Sequence, residues 1–153
     1  MAISKKGKRK ITIDSKKYLW WFFDEYDQTA FDGIQIKIVD ENQIGYFKYG
    51  LQQIDKERKI VISLRDEKYL IHVLCPKFED ENGIIKPSGI ERLIKWCLDR
   101  KENKYRKMIH GYNPSIGIIP ENERLKALEL ITCLLYTSPS PRDQRGSRMP
   151  SSA

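Results

Sequence analysis

An α+β domain built on an antiparallel sheet of about six strands, with a helix packed on one face, is predicted for residues 10–101 from three features of the sequence. Between residues 8 and 74 apolar side chains recur mostly at every second position, the repeat of a half-buried strand. The joints between these runs, such as Asp14-Ser15-Lys16, Asp40-Glu41-Asn42 and Asp66-Glu67-Lys68, are short and polar, which suits hairpins rather than crossover connections. Beyond them, Ile90, Leu93, Ile94, Cys97 and Leu98 fall on one helical stripe.

Taken in order, strands are expected at residues 10–13, 18–23, 34–39, 46–51, 59–64 and 69–74, joined as a meander. Alternation places Ile11, Ile13, Ile34, Ile36, Ile38, Ile60, Ile62 and Leu64 on one face, with Lys10, Lys37, Lys59 and Arg65 on the other. The apolar face needs a cover, and a helix over residues 88–101 supplies it. Ser88 and Glu91 have the spacing of a capping box at its start. Pro76 to Lys86, with Glu79-Asp80-Glu81 and Asn82-Gly83, reads as an exposed loop and turn. Residues 102–114 read as a polar loop that contains His110. A second helix starts near Pro120, with Leu125, Leu128 and Ile131 on one face, and residues 102–132 are expected to be a loop followed by this truncated helix.

Residues 133–153 read differently. Cys-Leu-Leu-Tyr-Thr-Ser-Pro-Ser-Pro-Arg-Asp back-translates into one run resembling a transposase mosaic end with its adapter extension. Ser147 to Ala153 back-translates into a second adapter half, with an index-sized gap of three codons between the two. The expectation is a non-native, disordered tail joined to a truncated gene near Thr132; a natural Ser/Pro/Arg-rich tail would have much the same composition. Over the whole chain 28 Lys and Arg stand against 21 Asp and Glu, a net +7. Without residues 133–153 the balance is 25 against 20, a net +5. Lys5, Lys6, Lys8, Arg9 and Lys10 alone account for that excess, so residues 1–9 are expected to be a basic flexible arm and the rest is charge-balanced.

No apolar stretch of the secretory kind follows the basic residues, and no run approaches a membrane span, so a cytoplasmic protein without membrane contact is expected. Cys75 and Cys97 have no CxxC or Cys/His ligand spacing and read as core thiols. P-loop, GxGxxG, GxSxG, HExxH and kinase signatures are lacking. His72 and Cys75, three apart on a strand, point to opposite faces, which argues against a nucleophilic pair. The acidic runs Glu79-Asp80-Glu81 and Asp24-Glu25 with Asp27 lack the spacing of a calcium loop and read as solvated. The expectation is therefore a non-enzyme with no catalytic residue, cofactor or metal.

Two functional readings remain. Residues 18–23 carry Tyr18, Trp20 and Phe22 on one strand face and Leu19, Trp21 and Phe23 on the other, so both faces are apolar. If the outer one is not covered by the chain itself it is a surface for a protein partner, with Tyr18, Trp20 and Trp21 as candidate contacts; a non-enzymatic interaction module is the first reading. The alternative is single-stranded nucleic-acid binding, because Lys5, Lys6, Lys8, Arg9 and Lys10 lead straight into these rings. Against it, such an arm also reads as a solvated tail, and no RNP, KH or helix-turn-helix pattern accompanies it.

Residues 8–21, Lys-Arg-Lys-Ile-Thr-Ile-Asp-Ser-Lys-Lys-Tyr-Leu-Trp-Trp, together with Ile85-Lys86-Pro87-Ser88-Gly89-Ile90-Glu91-Arg92-Leu93-Ile94, resemble a family of small uncharacterised bacterial proteins. The resemblance covers about residues 5–100 and implies a β-rich domain closed by one helix. It implies no activity and no functional residue. The chain departs from that pattern at Ser15, where a hairpin glycine is expected, and after Lys101.

Overall fold

The computed structural model describes residues 7–24, 31, 33–51, 53–64 and 69–137. Six strands, β1 (Arg9–Ile13), β2 (Lys16–Asp24), β3 (Ile34–Asp40), β4 (Gly45–Gly50), β5 (Lys59–Leu64) and β6 (Tyr69–Leu74), precede the helix α1 (Pro87–Leu98). Strands β7 (Met108–Asn113) and β8 (Gly117–Ile118) and the helix α2 (Arg124–Thr137) follow, with short 3₁₀ turns at Asp55–Glu57, Arg100–Tyr105 and Glu121–Glu123. All eight strands form one antiparallel sheet in chain order, a pure meander. Among the described residues no helix is long and apolar enough to cross a membrane.

The strand count is eight, not about six. The two extra strands come from the stretch expected to be a polar loop, so His110 stands in β7, not in a loop. Their sequence, Met-Ile-His-Gly-Tyr-Asn and then Gly-Ile, carries almost no alternation; pairing with β6 makes the strand. Gly111 is what lets it approach, since a Cβ there would come within 3.0 Å of Ile71 and 3.2 Å of Ile119. A bulge between His72 and Val73 in the β6–β7 register adds Ile109 on the β7 side.

One face of the sheet carries the core. Ile13, Tyr18, Trp20, Ile36, Ile38, Phe47, Tyr49, Ile60, Ile62, Leu64, Ile71 and Val73 are buried in a cluster with Ile90, Leu93, Ile94 and Cys97 of α1 and Ala127, Leu128, Ile131 and Leu135 of α2. Each large side chain so placed contributes roughly 1.5–3 kcal/mol of transfer free energy. Residues beyond 101 thus belong to the core, although the sequence set the domain's end there. The second helix also runs on past Thr132 as far as Thr137, through residues expected to be a disordered tail. Leu135 is 5% exposed and seats on Gly45, where a Cβ would overlap its side chain, and its carbonyl accepts a hydrogen bond from Lys16 Nζ at 2.8 Å.

The first helix begins at Pro87, with Lys86 as its N-cap and no side-chain cap bond, so the Ser88–Glu91 capping box does not form. Proline at the first helical position replaces it: its fixed φ is already helical and it has no N–H to satisfy. At the other end Arg106 satisfies the helix carbonyls, donating to the oxygens of Trp96, Cys97 (3.3 Å) and Asp99 (3.1 Å).

The β1–β2 hairpin turns through Asp14 (φ 49°) and Ser15 (φ 70°), both left-handed, as a two-residue turn that fits the sheet's twist requires. Serine pays a steric penalty there that glycine does not. Ser15→Gly is expected to raise the unfolding free energy by about 0.5–1 kcal/mol and Tm by a few degrees, read by thermal denaturation. A lowered Tm would contradict the strain.

Candidate nucleic-acid interface

The face of the sheet turned away from the helices is where the candidate site lies. Its side chains are set by alternation: Lys8, Lys10 and Thr12, then Lys17, Leu19, Trp21 and Phe23, then Gln35, Lys37 and Val39, then Tyr46 and Lys48, then Lys59, Val61 and Ser63, then Leu70, His72 and Leu74, then His110 and Tyr112. Six lysines and two histidines share this outer face, and none of its described strand positions is Asp or Glu.

Register brings them into rows. Trp21 pairs with Lys37, Lys37 with Lys48, Lys48 with Val61, Val61 with His72 and His72 with His110. Lys8 extends the row, its ammonium 4.8 Å from the centre of the Trp21 ring. Lys37 lies 4.4 Å over Tyr46 in the neighbouring row. From Lys8 to Lys48 the row crosses four strands, about 14 Å at the usual strand spacing. At one end Phe31 folds over the face: it is buried, Lys59 lies 5.6 Å over its ring and its carbonyl accepts from Gln35 Nε2.

Between these long side chains the floor is close-packed. Val39, Val61, Ser63 and His72 are all buried, and Ser63 Oγ has no hydrogen-bond partner among the described residues. The His72 and His110 rings meet edge to face at 5.0 Å. Burial, with Arg124 and Lys59 nearby, holds His110 below the usual histidine range, so at neutral pH the imidazole stays uncharged.

The residues singled out from the sequence separate. Tyr18 (3% exposed) and Trp20 (2%) point into the core cluster, so neither is available to a partner. Trp21 alone of the three stands on the outer face. Arg9 turns to the core side, 5.2 Å over the Trp20 ring, whereas Lys8 and Lys10 are outward. Lys5 and Lys6 lie outside the described residues. Lys48 and Tyr46 were missed, because only the strand register puts them next to Lys37, the partner of Trp21.

Of the two thiols read from the sequence as core groups, Cys97 is buried in the core and Cys75 is half-buried against it. Burial pushes Cys75 up to about 12 and raises Cys97 well above its ordinary range. His72 faces the opposite side of the sheet, toward His110. The acidic run is not wholly solvated. Glu79 is buried and paired with Arg58 at 3.0 Å, and it accepts a 2.6 Å bond from the Tyr49 hydroxyl, which burial and this bond together push well above its usual range. Asp80, next to it, ties a turn by accepting from the N–H groups of Asn82 and Ile84. Among the described residues no group of three or more metal-binding side chains forms.

The chain matches no family model, no curated protein and no solved structure.

Proposed function

We propose that the protein binds single-stranded nucleic acid across the outer face of its sheet. The observation that carries the reading is the row Lys8, Trp21, Lys37 and Lys48, which sets a stacking ring among ammonium groups on a face with no described strand carboxylate. Lysines attract the phosphates without regard to sequence, and an aromatic ring stacks on any base. A protein partner fits this face less well, because six lysines surround the rings, and interface centres are depleted of lysine.

Binding is read by fluorescence anisotropy of a labelled oligothymidine of about 15 nucleotides, a length within the range one such surface spans. Wild-type affinity should fall as salt rises. Trp21→Ala should weaken binding roughly tenfold while leaving the fold intact, since base stacking on one ring contributes about 1–3 kcal/mol. Unchanged affinity in Trp21→Ala, or no salt dependence, would rule the surface out. Duplex of the same length bound as tightly as the single strand would remove stacking from the account.

A further inference from the structure

Where the sheet ends beside α1 there is a groove of about 380 Å³, lined by Leu74, Cys75, Pro76, Trp96, Glu102, Tyr105, Arg106 and Lys107. Leu74 joins it to the outer face: it is the last outward residue of β6, pairs with Lys59, and its N–H donates to the Lys107 carbonyl at 2.9 Å.

Arg106 gives the groove its chemistry. Its guanidinium lies 4.2 Å over the Trp96 ring and is nine-tenths buried. It donates to the three carbonyls that end α1, yet makes no ion pair with a carboxylate among the described residues, and its buried Nε–H has no acceptor there. Asp99 and Glu102 act on it only at longer range, so a buried cation whose direct partners are all carbonyls leaves a place for an anion. Tyr105, beside it, is 73% exposed, an aromatic ring held in water with Lys104 5.1 Å from its centre. A ring so displayed, next to an under-neutralised cation, matches a ligand that has both an aromatic face and a negative charge.

We propose that this groove holds one nucleotide of the bound strand, its base stacked on Tyr105 and its phosphate at Arg106 and Lys107. The proposal rests on the nucleic-acid reading of the outer face and extends the strand's path past Lys59 and Leu74, round the end of the sheet. Glu102, the one carboxylate lining the groove, is an acceptor for a base N–H, the thymine N3–H included.

Tyr105→Ala, Tyr105→Phe and Lys107→Glu alter exposed side chains and leave the core untouched. In the oligothymidine titration, Tyr105→Ala should lose roughly tenfold in affinity, Tyr105→Phe should retain wild-type binding because it keeps the ring, and Lys107→Glu should lower the salt slope. A bromodeoxyuridine placed at one end of the oligonucleotide should photocrosslink to Tyr105 or Trp96, as located by mass spectrometry. Wild-type affinity in Tyr105→Ala beside impaired Trp21→Ala would overturn the groove and leave the outer face standing. Absence of binding by the wild type would overturn both.

Discussion

Arg58→Ala is expected to cost about 3–5 kcal/mol of stability, because it strands a buried carboxylate. Arg58 and Glu79 have side chains 4% and 1% exposed, and Arg58 Nη1 reaches both Glu79 oxygens, at 3.0 and 3.2 Å, as well as the Tyr49 hydroxyl at 2.8 Å. That hydroxyl also accepts from the Phe78 N–H. The cluster ties three distant parts of the chain together: β4, the start of β5, and the segment that leads into α1. Removing the guanidinium leaves the buried Glu79 carboxylate without its counter-charge. Urea denaturation measures the loss. The double variant Arg58→Leu, Glu79→Leu should cost clearly less than Arg58→Ala, since no charge is then left behind. A loss below about 1 kcal/mol for the single variant would mean that Glu79 is not sealed from solvent.

Replacing Lys8, Lys37 and Lys48 together with alanine is expected to lower single-strand affinity by roughly a hundredfold or more at about 50 mM salt. Each phosphate contact on a single strand contributes about 0.7 to the slope of log affinity against log salt, so the three together should flatten that slope by about 2. Their stems lie on the sheet, half-buried, and alanine keeps the backbone register, so the fold should survive. A wild-type slope in the triple variant would exclude these lysines from the phosphate path whatever happened to affinity. Together with Trp21→Ala this separates the two contributions: the lysines set salt dependence, the ring does not.

The strands β1 to β6 were legible because period-two alternation and polar joints are local signals, and their bounds agree with the sequence to within two residues. The sides of the sheet were legible too: Lys10, Lys37 and Lys59 share the outer face, as alternation required. Ile34, assigned to the core face, is an exposed strand end. What alternation cannot supply is register, which sets Lys37 beside Trp21 and Lys48 next in the same row. It also cannot reveal Arg58 with Glu79, 21 residues apart, where the acid looked like part of a solvated run. The last hairpin did leave a trace. Asn113-Pro114-Ser115-Ile116-Gly117 has turn formers at the right places, with Asn113 Oδ1 accepting from Ser115 N–H and Gly117 at φ 82°, but its flanks were too weakly patterned to be read as strands.

The pairing of each strand with its neighbour in the chain has a kinetic consequence. From β1 to β6 the sheet can grow by successive hairpins, each closing a short loop at small entropic cost. Between β6 and β7 the chain detours through residues 75–107, which contain α1. That junction closes the longest loop between paired strands, so its formation pays the largest loop entropy of the sheet. The Arg58–Glu79 pair and the Arg106 bonds lie on this same detour and shorten it from within: the first fixes its beginning against the start of β5, and the second fold its last residues back on the end of α1.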